Sequence, residues 1–391
     1  GCTTFVGDIT IVNSLAEIDS VYGLDSVSVM VGDLMVDFAE NSFLFNGLNV
    51  LDSLAGELTL KNNISSYTTW FNSFMNLRNT EALIIDNVNF NLGGFGALTS
   101  AQNIIITNAS QQSIPPNFSS LINADEIEIG FYSGYFTLSD FFSNLISANK
   151  IEFTSNDLGG ADFTNSFNNL VEVDTIIWNT VHYPFLYDCF NSLVTAGTIK
   201  TGSFGPYATI LQEIINCFEV LTEVGELSLN TNAMYLPLSH LEHADNILLV
   251  GVFPFGLTET LPYSIYQPQL ENLKSVSGSA HIFSDLRRVK LDSLSQVGGQ
   301  LSINYLTNFD SCDTDKYEYI SLKNLVSVGQ SLSIHGTDSI YMPNLTTIGD
   351  GLQLSFYCGE NLDFNQPESS IYASGTVYYD VNCDQQFNND D

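Results

Sequence analysis

The residues with the types and spacing to do chemistry are few. Near the C-terminus, Asp380, Asn382, Asp384, Asn388 and Asp391 fall at positions 1, 3, 5, 9 and 12 of one string. Hard oxygen donors at alternate positions wrap a calcium ion, so this is the pattern of a calcium loop, with Gln385 where the sharp turn needs glycine. The same string reads first as a disordered acidic tail and second as a filled calcium site. His240-Leu-Glu-His243 offers two imidazoles and no third metal ligand, and Leu241 between them fits a core position, which puts both rings on a surface turn. Arg287-Arg288 is the one arginine pair, read first as a solvated surface pair and second as the site of a polysaccharide-active enzyme. There is no G-x-S-x-G, no H-E-x-x-H and no phosphate loop; Gly93-Gly94-Phe95-Gly96 lacks the strand-to-helix setting.

The element that must position all of these is a repeat. Phe142-Ser-Asn-Leu145-Ile-Ser-Ala148-Asn-Lys-Ile151-Glu-Phe153 recurs as Phe118 to Ile129 and as Phe167 to Trp178. The second anchor falls at Leu54, Leu77, Leu98, Leu121, Leu145, Leu170, Leu193, Leu221, Leu241, Leu273, Leu294, Leu325 and Leu345, at spacings of 20 to 32 residues. A period in this range means stacked coils, each unable to bury its own apolar face. The I-x-I pair puts two side chains on one face of a short strand, and the anchors spaced by three suit a turn, a 3₁₀ segment or a short helix. The first anchors Phe74, Phe95, Phe118, Phe142, Phe167, Phe190 and Phe218 predict an aromatic ladder, and Trp178 on its strand reads as packed. The fold class is a repeat solenoid with a parallel β-sheet along one side. Residues 1–53 read as an N-terminal cap and first coils, and 54–362 as the solenoid. Residues 363–391 read as an acidic tail or the start of a further module. Insertions near 250–268, holding Tyr263 and Tyr266, and near 308–319 are candidate binding loops.

The repeat frames the cysteines. Cys189 and Cys217 directly precede ladder phenylalanines, so they take equivalent places in adjacent coils, roughly 5 Å apart and within reach of a disulfide. Cys312–Cys358 is a second candidate pair. Cys2 and Cys383 are left over, for local bridges, thiols or an intermolecular link joining subunits end to end. Pairing implies an oxidising compartment. Asn63, Asn108, Asn117 and Asn344 head glycosylation triplets if the host is eukaryotic. Asn108, Asn179 and Asn230, each following its strand, read as satisfying backbone groups inside the turn.

The late coils carry a more specific signature. Leu291-Asp-Ser-Leu294-Ser-Gln-Val297-Gly298-Gly299-Gln-Leu301-Ser-Ile303 and Leu322 to Ile334 follow L-x-x-L-x-x-V-G-x-x-L-x-I. The first segment has Cys2, Gly7-Asp8-Ile9-Thr10-Ile11 and Val31-Gly32-Asp33-Leu34. This resembles the receptor L domains and the fungal and bacterial surface proteins built like them. The resemblance implies a leucine-rich-repeat-like solenoid used for binding, and it brings no catalytic residues. The tail string resembles the calcium loops of EF-hand and dockerin kind, and also the first strand of small calcium-binding immunoglobulin-like repeats.

Composition narrows the partners. Across 391 residues, ten Lys and Arg face 44 Asp and Glu, for a formal charge of −34. Nucleic acid and anionic membrane surfaces are poor partners for such a field, and cations or basic surfaces good ones. No run of about 18 apolar residues suggests a membrane span, and the chain reads as a mature or trimmed product. The function expected is non-enzymatic recognition or adhesion at the cell surface or outside the cell, binding protein or glycan, with no required cofactor and calcium as a possible one. The alternatives are a self-assembling filament or coat subunit and a parallel β-helix enzyme.

Overall fold

The computed structural model describes residues 3–12, 24–38, 44–45, 48–62, 69–70, 74–86, 95–110, 118–133, 135–155, 160–180, 184–201, 213–215, 217–231, 233–235, 238–251, 270–284, 288–304, 319–337 and 340–356. They form stacked β-coils with a parallel sheet along one side, and no helix is present among them. The chain divides into two compact units, residues 1–193 with 202–208, and residues 194–201 with 209–391.

In the N-terminal unit the long strands Ser53–Asn62, Asn79–Asp86, Ser100–Ser110, Asn123–Ser133, Ser147–Ser155 and Glu172–Thr180 pair in parallel, in chain order. Their register turns the I-x-I pattern into columns. Leu34, Leu58, Leu83, Ile104, Ile127, Ile151 and Ile176 lie directly above one another, all fully buried. The column two residues on runs Val36, Leu60, Ile85, Ile106, Ile129, Phe153 and Trp178. Its last two rings stack at 6.0 Å, so Trp178 is core, as its strand position predicts.

Between strands the chain reverses at the two anchors. The amide of Leu77 donates to the carbonyl of Phe74 at 3.0 Å, and Leu98, Leu121, Leu145, Leu170 and Leu193 repeat the bond with the Phe three residues before. The anchors therefore make a turn. The rings Phe74, Phe95, Phe118, Phe142, Phe167 and Phe190 stack in sequence with centroids 5.9, 5.8, 5.3, 5.1 and 4.9 Å apart. Such pairs contribute roughly 0.5–1.5 kcal/mol each beyond area burial. Phe74, Phe167 and Phe190 hold φ of 61°, 60° and 56°, a left-handed conformation that costs a non-glycine residue about 1–2 kcal/mol. Ring burial offsets that cost, which is why these turns carry Phe where glycine would be conformationally easier.

One frame differs from the sequence reading. The turn before Ser53 is Leu48 to Leu51, closed by a 3.1 Å bond, and Leu54 sits in the column of Thr80, Ala101, Ala124, Ala148 and Val173. Leu48, Leu51 and Leu54 are all spaced by three, so spacing alone leaves two frames open, and the hydrogen bond selects one.

The C-terminal unit repeats the plan with aliphatic first anchors. Leu241, Leu273, Leu294 and Leu325 donate to the carbonyls of Leu238, Leu270, Leu291 and Leu322 at 3.0–3.1 Å. Each later strand is broken by a glycine corner, as in Gln296–Val297 followed by Leu301–Asn304, and Ser327–Val328 followed by Ser331–Thr337. The corner explains the V-G signature. A methyl group on Gly298, Gly329 or Gly349 would overlap the carbonyl oxygen of Ser277, Gly298 or Gly329 respectively, one coil back. Gly32 and Gly56 make the same approach in the N-terminal unit, to the carbonyl oxygens of Gly7 and Gly32.

Truncating a ladder ring should therefore be costly. Phe142→Ala is expected to lose about 3–5 kcal/mol and Gly329→Ala about 1–3 kcal/mol from overpacking, measured by urea unfolding. A loss below about 0.5 kcal/mol for both would contradict the column picture.

Candidate functional site

Strand alternation sends every second residue away from the core, and these outward side chains are the candidate site. In the N-terminal unit the outward cluster is charged. Lys150 Nζ lies 2.6 Å from Glu126 Oε1 and 2.8 Å from Glu152 Oε2, and Asn179 Nδ2 donates to Glu152 Oε1 at 2.7 Å. Glu128 stands directly beside Glu152 in register. Hydrogen bonds to Glu126, then Glu152, hold the Lys150 ammonium above its ordinary pKa, so it stays charged. One cation thus relieves the repulsion of stacked carboxylates, each rung being about 4.8 Å from the next. The amide of Asn179 goes to a carboxylate on the preceding strand, whereas the sequence suggests a role inside the turn. Asn108 lies on the strand Ser100–Ser110, its side chain outside the described set, as is that of Asn230.

In the C-terminal unit the outward face changes character. Lys274 Nζ bonds Glu242 Oε2 at 2.6 Å and holds that carboxyl below its usual range. Further along, His281 and Phe283 stack with centroids 6.2 Å apart. Asn304 Nδ2 donates to Ser302 Oγ at 2.7 Å, and Ser333 Oγ lies 2.8 Å from His335 Nε2. Burial pushes the His335 imidazole below its ordinary pKa.

Turn side chains mostly tie each coil to the one before. Asn76, Asn144, Asn169, Asn272 and Asn344, always one residue before the second anchor, donate their Nδ2 to the carbonyls of Asn49, Ser119, Ser143, Ser239 and Lys323. The F/L-x-N-L spacing carries this asparagine ladder, which the sequence reading missed. His240 occupies the asparagine slot of its coil, and its Nδ1 is 2.7 Å from the carbonyl oxygen of Glu219. His243 Nδ1 pairs instead with Ser275 Oγ at 2.8 Å. The two histidines are thus engaged along the stack. Among the described residues, no three His, Cys, Asp or Glu side chains come together as a metal cluster, and no helix is long and apolar enough to cross a membrane.

The cysteines join the same system. Ser166 Oγ, one residue before Phe167, donates to Leu138 O at 2.7 Å, and Cys189 Sγ, one residue before Phe190, donates to Phe163 O at 2.6 Å. Cys189 and Cys217 are both buried, and the Cys189 sulfur hydrogen-bonds back to the preceding coil. Asn344 is exposed, and its amide donates to the carbonyl of Lys323. Asp380, Asn382, Asp384, Asn388, Asp391, Cys2, Cys312, Cys358, Cys383, Asn63, Asn117, Tyr263, Tyr266, His182 and Arg287 lie outside the described residues.

Two substitutions check this geometry. His240→Asn should keep the ladder bond and the stability, while His240→Ala should lose about 1 kcal/mol, read by chemical denaturation. For His335, the folded pKa lies below the unfolded value, so the unfolded state binds the extra proton first. Its contribution is present above pH ~6.5 and is lost as pH falls toward the folded pKa. His335→Gln should flatten the loss of stability over that window, and an unchanged pH profile would refute the assignment. No protein-family model, curated protein or solved structure matches the chain.

Proposed function

We propose that the protein is a non-enzymatic recognition or adhesion solenoid, acting at the cell surface or outside the cell and binding a protein or glycan through the outward face of its parallel sheet. One observation carries the reading. The core columns repeat in type from coil to coil, while the outward positions do not: Met35, Thr59, Ile84, Ile105, Glu128, Glu152 and Ile177 succeed one another in a single column. A scaffold held constant under a face that varies is how repeat proteins present a binding surface. The glycine corner supports kinship with receptor L-domain-like surface proteins, because the V-G positions have a steric reason for being glycine. An oxidising compartment, with Cys189–Cys217 and Cys312–Cys358 bridged, belongs to the same reading, as does calcium bound by the C-terminal string.

End-to-end self-assembly is the second reading, favoured by the strands Thr4–Val6 and Ile9–Val12. There Ile9 and Ile11, members of the core columns, are only half-buried, and Val6 and Val12 are 75% and 50% exposed.

Light scattering separates the two. A monomer mass that is unchanged by reductant and chelator, together with saturable binding to a glycan or surface-protein panel, is the expected result. Mass growing with concentration, with no ligand bound, would replace recognition by assembly. Peptide mapping without reductant should recover the Cys189–Cys217 pair, and alkylation of both thiols in unfolded protein would remove that bridge.

A further inference from the structure

We propose that the part of the face centred on His281 and Phe283 binds an uncharged polysaccharide chain; this rests on the recognition reading and names its ligand class. Three strands build the patch. Ala280–Ser284, Leu301–Asn304 and Ser331–Thr337 pair in parallel, with His281, Ser302 and Ser333 in one column and Phe283, Asn304 and His335 in the next. The alternate residues Ala280, Ile282, Leu301, Ile303, Leu332 and Ile334 are in the core. The six polar and aromatic side chains therefore point outward, as strand alternation requires.

Their chemistry is selective. The His281 and Phe283 rings stack within 11° of parallel and are both half-buried, which puts two aromatic side chains together on this face. Ser302 and Ser333 form a short buried floor beside it, and Asn304 and His335 stand half-buried on the far side. The bonds from Asn304 to Ser302 and between Ser333 and His335 fix the polar groups before any ligand arrives, which lowers the ordering cost of binding.

None of the six is a carboxylate, a lysine or an arginine. That distinguishes the patch from the Glu126, Glu128, Lys150 and Glu152 cluster, in a chain of net charge −34. Among the described residues of these three strands an anionic polymer finds no cation, and it meets a repulsive field, while a cation is drawn to the carboxylates elsewhere. What the patch offers is a half-buried aromatic pair beside the half-buried amide of Asn304 and imidazole of His335, the few convergent polar contacts on an aromatic lining that orient a small ligand. A sugar ring presents the matching pair, a face of C–H bonds and an edge of hydroxyls.

The test is biolayer interferometry of the full chain against a soluble β-1,3-glucan, a β-1,4-glucan, a mannan and an α-glucan, with polygalacturonate and heparin as anionic controls. At least one neutral polymer should bind and both anionic ones should not. Phe283→Ala should weaken binding tenfold or more, Phe283→Tyr should retain it, and Met75→Gln on an exposed turn should leave it unchanged, with unfolding curves confirming that each variant is folded. Binding indifferent to Phe283→Ala overturns the site. Capture of a protein ligand with no neutral polymer bound overturns the polysaccharide assignment while recognition stands. Failure to bind anything overturns both.

Discussion

Within each unit everything depends on the parallel register between successive coils. A rung separation of about 4.8 Å leaves no room for a side chain to wander, so a residue is packed chiefly by its equivalents one coil before and after. Columns must then be uniform in polarity and close in size. Leu58, Leu83 and Ile104 meet that requirement with aliphatic chains, and Phe118, Phe142 and Phe167 meet it with rings. The same constraint makes the corner glycines obligatory, since the carbonyl of one coil occupies the place of a methyl group on the next.

The stack is also directional. Just after the second anchor an amide points to a carbonyl of the coil before, as Ile146 does to Ile122 and Val171 to Ile146, while at other turn positions Asp140, Leu291 and Leu322 donate forward to Thr164, Ser321 and Tyr341. Many turn side chains obey the same polarity: Asn169 to Ser143, Ser166 to Leu138, Cys189 to Phe163 and Thr99 to Arg78 all donate backward. Unpaired backbone groups at a corner are expensive to leave unsatisfied. A fixed supply of carbonyls facing the next coil therefore selects small donors at particular slots. This is why residues as different as asparagine and histidine share one position, and serine and cysteine another.

Once the core columns and turns are committed to this architecture, only the outward strand positions remain free to vary. Their electrostatics are not uniform. Lys150 is held between two glutamates in one unit, while His281, Phe283 and the serines beside them carry no formal charge in the other. In so acidic a chain, six neighbouring side chains without a carboxylate stand apart chemically.

Residue spacing by itself determined the solenoid, the phenylalanine ladder and the burial of Trp178, because a column leaves its trace as the same residue class at each period. It also marked Gly298 and Gly329 without giving their reason, which is a contact between coils. The tertiary structure alone decided the frame at Leu51 against Leu54, since three leucines at equal spacing are symmetric until a hydrogen bond breaks the tie. It decided that His240 belongs with the asparagines, that Asn179 reaches a carboxylate, and that the Cys189 sulfur faces backward. Direction along the stack is a property of paired backbones, and one-dimensional spacing does not contain it. The neutral patch is likewise assembled from residues 21 and 31 positions apart along the chain, brought side by side by the register. A face without repetition has no periodic signal to read.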